Sequence, residues 1–221
     1  MMPLSIINII LGITLFYLLF NRKKLYDYNV NAILLIVLIN FIIELVVYSI
    51  NKTGFKQGSS WVYNFTLPLE IILYGVLFKR IFQNSKIKTI VSVASLGILI
   101  PFMFHYLKAG NFFIFNGTLY SYLSLFILFC VLYFFITLFV KDYFQINPLK
   151  QFYFWVSSGL LVCYLGGFML LTNAYSLFYK NKLLYSDLKT LNLILNIFLY
   201  LCLIIAVECL KKFKTSQIRS L

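Results

Sequence analysis

The segment Leu119–Val140 reads LYSYLSLFILFCVLYFFITLFV and contains no charged residue over its 22 positions. A helix rises about 1.5 Å per residue, so a segment of this length crosses the roughly 30 Å hydrocarbon core of a bilayer. A helix also satisfies every backbone N–H and C=O group within the segment, which lipid cannot do. The segment therefore predicts a transmembrane helix.

The composition of the whole chain agrees with a membrane location. Of its 221 residues, 62% are hydrophobic and 11% are charged, against about 25% charged in ordinary soluble domains. The net charge of +13 comes from basic residues scattered between apolar segments. They form no stripe that would bind nucleic acid and are typical of loops beside an anionic membrane surface. We therefore expect the lipid bilayer as a partner and no nucleic acid.

Six further apolar segments flank the first one. The predicted spans are Leu4–Phe20, Val30–Ile50, Tyr63–Phe82, Thr89–Leu107, Leu119–Val140, Tyr153–Phe178 and Lys189–Leu210. The first has no basic region before it and is followed by Asn21-Arg22-Lys23-Lys24, which favours a span over a signal peptide. The loops are short, so the sequence predicts an all-α polytopic transmembrane bundle of about seven helices, one domain over residues 1–221.

The basic residues predict the orientation of the bundle. With alternating spans, 13 basic residues fall on the side of the C-terminus and six on the other side. The positive-inside rule then places the N-terminus outside and the C-terminus in the cytoplasm. The composition, rich in Lys, Asn, Ile and Phe, favours a bacterial inner membrane. We expect anionic inner-leaflet lipids to bind Lys211, Lys212, Lys214 and Arg219.

Two acidic residues, Glu44 and Glu70, lie well inside the predicted spans. Counted from the outer ends of their helices, they lie about 9 Å and about 10 Å deep, in one layer with Asn196. A charged group at the centre of a span costs about 2.5–3.5 kcal/mol, so such groups face the interior and pair. The sequence places no Lys or Arg at this depth. We therefore expect at least one of the two carboxyl groups to be protonated at neutral pH.

Other polar side chains repeat four residues apart on the second, third and seventh spans and extend this layer. The candidate ligand-binding residues are Asn40, Glu44, Tyr48, Glu70, Tyr74, Asn192, Asn196 and Tyr200. Two interpretations are open. The residues form a pocket for a ligand, ion or proton, because intramembrane acids usually serve a function, or they join helices by hydrogen bonds.

The sequence predicts no metal and no cofactor. The four cysteines lie in apolar segments without a CxxC spacing, and His105 stands in no HExxH-like motif. The seventh span has no Lys between Lys189 and Lys211, which excludes a retinal Schiff base.

Packing features are those of a membrane bundle. Gly159, Cys163 and Gly167 repeat every four residues on the sixth span, which favours close approach of another helix. Pro68 and Pro101 lie within or at the ends of helices; each is a candidate kink, and Pro68 alternatively fits a first helical turn.

The chain resembles a group of short, mostly uncharacterised bacterial seven-helix membrane proteins. The residues that carry this likeness are Glu44, Pro68-Leu69-Glu70 and Phe154-Trp155.

The region Phe41–Phe82 is also similar to the membrane-integral lycopene cyclase domain, through a buried acid, Leu67-Pro68-Leu69-Glu70 and Tyr74. This resemblance implies two three-helix repeats joined by a linker helix, and carotenoid cyclisation with Glu44 and Glu70 as candidate catalytic residues. Residues 69–74 and 195–200 form a faint repeat.

The chain departs from the cyclase pattern at three positions. Ile71 and Asn196 stand where that family has acids, and Ile43 stands where it has a Trp.

Three functions follow as hypotheses. The first is ligand or proton binding in an outward-facing polar pocket, for sensing or transport, with a lipophilic small molecule or a protein as partner. The second is a carotenoid- or lipid-modifying enzyme of the lycopene-cyclase type. The third is a membrane accessory or effector subunit of a defence or signalling locus, in which the polar layer is structural.

Overall fold

The computed structural model describes residues 3–23, 30–53, 61–107, 117–140, 151–172 and 182–218. Within these ranges 96% of the residues are helical and no strand is present. The helices are α1 (Pro3–Phe20), α2 (Val30–Thr53), α3 (Val62–Ile81), α4 (Ser85–Leu107), α5 (Gly117–Val140), α6 (Phe152–Thr172) and α7 (Lys182–Ile218). The prediction of an all-α bundle is confirmed.

Six of the described helices, α2 to α7, are long and apolar enough to cross a membrane. The apolar part of α1 is shorter, Ile6–Phe20, so the count of seven spans stays a prediction, as does the division into two three-helix repeats. Helix α7 continues eight residues past the predicted end at Leu210, because Lys and Gln are good helix formers outside the membrane as well. Positions 173–178, at the end of the sixth predicted span, lie outside the described residues.

The helices form a closed ring. Each helix packs against its neighbours in the chain, α1 also packs against α7, and α3 contacts α5 across the ring. Residues late in α2 contact residues early in α3, as Glu44 and Tyr63 do, so these two helices run antiparallel. Half of the spanning residues of α3 and α5 are buried, against 17% in α4. Helices α3 and α5 therefore lie nearest the centre of the bundle.

Apolar side chains occupy both the core and the outer surface. The main core includes Ile71, Phe78 and Ile127, which are fully buried. Large apolar groups also point outward, among them Phe20 at 79% exposure and Met169 at 68%. An exterior of this kind is a liability in water and suits contact with lipid.

Helices α6 and α7 approach closely at glycines. A Cβ atom added to Gly159 would lie 2.9 Å from Cys202 Cβ and 3.4 Å from Leu199 Cα. One added to Gly166 would overlap Leu195, also on α7. Gly167 faces a different helix, because a Cβ atom there would overlap the Tyr120 hydroxyl on α5. The small residues of α6 thus allow close contact with two neighbouring helices, α5 and α7.

Both helix prolines lie inside helices. Pro68 is within α3 and Pro101 is within α4. Pro68 follows the first turn of α3, which begins at Val62. It therefore removes one hydrogen bond, the one that its missing N–H would give to the Asn64 carbonyl.

Candidate functional site

Glu70 lies on the interior side of α3 and is partly buried. Its carboxyl group is hydrogen-bonded to the side chain of Asn40 on α2. It also accepts a hydrogen bond from the Tyr164 hydroxyl on α6, with 3.4 Å between Tyr164 Oη and Glu70 Oε2. That distance exceeds the usual range of about 2.5–3.0 Å, so the Tyr164 contact is the weak member of the set.

Three further tyrosines surround this group. The rings of Tyr74 and Tyr164 meet edge to face with centroids 5.6 Å apart, and Tyr120 stacks on Tyr164 at 6.2 Å. The Tyr74 hydroxyl is hydrogen-bonded to Tyr164, and the Tyr200 hydroxyl is hydrogen-bonded to Asn40. The resulting group joins α2, α3, α5, α6 and α7. We call it the central cluster: Asn40, Glu70, Tyr74, Tyr120, Tyr164 and Tyr200.

Glu44 lies apart from the central cluster, one helical turn beyond Asn40 on α2. The Tyr63 hydroxyl donates a hydrogen bond to Glu44 Oε1 at 2.9 Å. We call Glu44 and Tyr63 the end pair, because they lie toward the end of the bundle where α2 ends and α3 begins. Beside them is a small satellite core that contains Ile43, Val47 and Val62. Glu44 and Glu70 are linked through their surroundings, since Tyr200 lies within electrostatic range of both carboxyl groups.

Asn196 lies on α7 at the level of Glu70. The Cys163 thiol donates to Asn196 Oδ1 at 3.9 Å, and Cys163 directly precedes Tyr164 on α6. The Asn196 amide donates to the backbone oxygen of Asn192 at 2.8 Å. The side chain of Asn196 is thus held between α6 and its own helix.

The remaining candidates take different positions. Tyr48 is 43% exposed and faces away from the central cluster. Asn192 is partly exposed, one turn beyond Asn196. Lys211, Lys212 and Lys214 lie on the described part of α7, whereas Arg219 lies outside the described residues.

A cavity of about 20 Å³ adjoins the central cluster. It extends from Asn40, Tyr74 and Tyr200 toward the end of the bundle where α3 ends. Its lining is Ile33, Ile36, Val37, Asn40, Tyr74, Leu77, Val156, Leu160, Leu199, Tyr200 and Leu203. Pockets for small molecules usually measure about 300–1,000 Å³, whereas a cavity of about 10–15 Å³ or more holds one water. This cavity is the size of a water site.

Among the described side chains, no three His, Cys, Asp or Glu residues gather as a metal site would require. Cys130, Cys163 and Cys202 are buried in the bundle and form no disulfide, and Cys209 is partly buried. The His105 side chain lies outside the described part of the chain.

Sequence reasoning missed the roles of Tyr63 and Tyr164, the two hydroxyls that contact the acids. Tyr63 is the second residue of α3. Tyr164 directly follows Cys163, which belongs to the small-residue stripe of α6. A buried Tyr hydroxyl usually finds a hydrogen-bond partner, so a Tyr beside a small-residue stripe was the available signal for Tyr164.

The fold and the apolar exterior define a multi-pass helical membrane protein. Comparison of the chain with models of known families, with curated proteins and with solved structures gives no match. The likenesses to a bacterial seven-helix group and to lycopene cyclases therefore stay predictions.

Proposed function

We propose that this multi-pass membrane protein binds and releases a proton at Glu70, in the service of sensing or transport. The observation that carries the proposal is the central cluster, in which the Glu70 carboxyl group is hydrogen-bonded to side chains from α2 and α6 and which joins five helices beside a water-sized cavity. A group that joins this many helices is placed to couple its protonation to their packing.

Opposing influences act on the Glu70 carboxyl group. Asn40 and Tyr164 donate hydrogen bonds that stabilise the carboxylate. The surrounding apolar core favours the neutral acid, because a charge is costly inside a membrane. A group subject to both influences can exist in either state. The adjoining tyrosine hydroxyls both donate and accept hydrogen bonds, so each can pass a proton on.

The size of the cavity favours a proton over a lipophilic ligand. At about 20 Å³ it is more than tenfold smaller than a typical small-molecule pocket. A carotenoid end group needs far more room.

The proposal includes seven spans in a bacterial inner membrane, with the N-terminus outside and the C-terminus in the cytoplasm. The uneven distribution of basic residues supports this orientation. Helix α7 continues nine residues beyond Cys209, where its apolar span ends. We propose that Lys211, Lys212, Lys214 and Arg219 bind anionic lipid headgroups at the cytoplasmic surface. Reporter fusions at the two ends test the orientation, and the same location for both ends would contradict it.

Infrared difference spectroscopy of the protein in lipid, with steps of pH, tests the role of Glu70. We expect a carboxyl C=O band that changes with pH and disappears in Glu70→Gln. Asp187→Asn is the control, because Asp187 is exposed near the start of α7. A spectrum of Glu70→Gln identical to that of the unmodified protein would overturn proton binding at this residue.

The same variant separates the alternative functions. If Glu70→Gln lowers thermal stability and leaves the pH-dependent spectrum unchanged, the central cluster is structural. That outcome is the one expected for an accessory subunit. If the protein forms cyclised product from lycopene and Glu44→Gln or Glu70→Gln abolishes the product, it is a cyclase. Neither result is expected.

A further inference from the structure

We infer that the cavity beside the central cluster binds one water molecule, held by Asn40, Tyr74 and Tyr200. This water extends the hydrogen-bonded chain of Glu70 toward the end of the bundle where α3 ends. The inference deepens the proposed function and rests on it for the role of the water, which is to pass a proton to and from Glu70. The binding of the water itself rests on the geometry of the cavity.

The volume of the cavity allows it to hold water. A cavity of about 10–15 Å³ or more can hold a water molecule, and this cavity offers about 20 Å³. The cavity is therefore large enough for a bound water.

The lining provides the polar partners. A buried water makes about two to four hydrogen bonds, and Asn40, Tyr74 and Tyr200 all reach the cavity. Each retains hydrogen-bonding capacity. An Asn side chain has two N–H donors and two lone pairs on its oxygen, and Asn40 uses one site toward Glu70 and one toward Tyr200. A Tyr hydroxyl has one donor and two lone pairs, so one bond each leaves Tyr74 and Tyr200 free to bind the water.

The direction of the chain follows from the order of residues along the helices. On α3, Tyr74 and then Leu77 follow Glu70 toward the end of that helix, and both line the cavity. On α2, Asn40 lies at one end of the cavity and Ile33 at the other. The water therefore lies beyond Glu70, on the side away from the end pair.

Apolar side chains surround the far part of the cavity. Ile33, Leu77, Val156 and Leu203 line it there and offer no hydrogen bond to a second water. The chain of polar groups accordingly stops after one water. Passage of a proton to that end of the bundle requires these side chains to separate, which would make proton movement dependent on a change of helix packing.

Hydroxyl-radical footprinting with synchrotron X-rays tests the water site directly, because radicals formed from a bound water oxidise the side chains that touch it. The protein is used in lipid nanodiscs, in water enriched in the heavy oxygen isotope. We expect labelled oxidation of Tyr74 and Tyr200. Phe102 and Phe152 are the controls, since both are buried aromatic residues outside the lining. Oxidation of Tyr74 and Tyr200 as low as that of these controls would overturn the inference.

A variant that fills the cavity provides a second test of the water site. Val37→Ile adds one methyl group to a buried side chain of the lining, and Val47→Ile adds the same group in the satellite core. We expect labelling of Tyr74 and Tyr200 to fall to the level of the controls in Val37→Ile and to persist in Val47→Ile. Undiminished labelling in Val37→Ile, in protein that stays folded by circular dichroism, would place the water elsewhere and contradict the inference.

Proton binding at Glu70 and water binding in the cavity can be contradicted independently of each other. If Glu70→Gln leaves the pH-dependent infrared spectrum unchanged while Tyr74 and Tyr200 remain labelled, the water site stands and its role in proton transfer is lost. If the labelling is absent and the Glu70 band is present, Glu70 binds its proton without this water.

Discussion

Glu44 and Glu70 have the same side chain and similar distances from the ends of their helices, yet their surroundings differ. Glu44 belongs to the end pair, where Tyr63 from the neighbouring helix donates to it at 2.9 Å. Glu70 belongs to the central cluster, which joins five helices. The depth of an acid within a span therefore does not define a site. Glu70 is a site candidate because polar side chains from two other helices, α2 and α6, contact its carboxyl group.

The largest expected difference comes from reversing the charge. Glu70→Lys places an ammonium group among Asn40 and Tyr164, and the cost of an intramembrane charge is about 2.5–3.5 kcal/mol. Glu44→Lys lies in the end pair, one turn before the exposed Tyr48, so its long side chain can extend along that exposed side of α2 to the membrane surface. We expect the first variant to lose most of its folded protein and the second to keep it. Size-exclusion chromatography in mild detergent measures both yields, and equal yields would remove the distinction.

Packing between α6 and α7 should also affect Glu70. Gly159→Ala places a Cβ atom 2.9 Å from Cys202 Cβ, and overpacking of this kind costs about 1–3 kcal/mol. The shift of α7 should move Tyr200, which is hydrogen-bonded to Asn40, and thereby alter the infrared band of Glu70. Gly97→Ala is the matched control, since nothing lies within 4 Å of a Cβ atom there. An unaltered Glu70 band in Gly159→Ala would show that the cluster does not depend on this contact.

Removal of one amide should cost more in the central cluster than removal of one hydroxyl in the end pair. Asn40→Ala deletes hydrogen bonds to Glu70 and Tyr200, whereas Tyr63→Phe deletes one to Glu44. At about 0.6 kcal/mol for each interhelical hydrogen bond in a membrane protein, the two bonds of Asn40 should be worth about 1.2 kcal/mol, and we expect Asn40→Ala to be the less stable variant. Unfolding in mixed micelles of increasing SDS content measures this, and a greater loss in Tyr63→Phe would reverse the ranking.

The smallest effect is expected at the weak contact between Tyr164 and Glu70. Tyr164→Phe removes a hydroxyl that lies 3.4 Å from the carboxyl oxygen, so the free energy of unfolding should fall by less than the average of about 0.6 kcal/mol. The Glu70 infrared band should shift, and the Glu44 band should not. Tyr63→Phe should give the opposite pattern. A large loss of stability in Tyr164→Phe would mean that this hydroxyl holds Glu70 more tightly than the distance indicates.

Most of the fold was accessible from the sequence, because long apolar segments permit few structures in lipid. The segment Leu119–Val140 lies within α5, which begins two residues earlier at Gly117. Helix α7 was predicted to end at Leu210 and continues to Ile218, since hydropathy locates the membrane boundary and not the last helical turn. The prediction that Gly159 lies at a close helix contact agrees with its approach to Cys202.

The candidate site was accessible only in part. Helical spacing placed Asn40 and Glu44 on one stripe, but the stripe is not uniform: Asn40 reaches Glu70, Glu44 reaches Tyr63, and Tyr48 is exposed. Spacing along one helix does not reveal how a neighbouring helix is rotated. The contact between Tyr164 on α6 and Glu70 depends on that rotation, so the small-residue stripe of α6 indicates a buried Tyr but not its partner.

Gly167 carries no functional group, yet in a mutational scan its substitution would lower function as the substitution of a functional residue does. Any side chain at this position meets the Tyr120 hydroxyl, and the Tyr120 ring stacks on Tyr164, which reaches Glu70. A substitution at Gly167 therefore disturbs Glu70 through two intervening residues, Tyr120 and Tyr164. In a screen for loss of function, hits at a glycine of this kind would group with hits at the acid itself. A suppressor that shortens residue 120 would then identify the cause as steric.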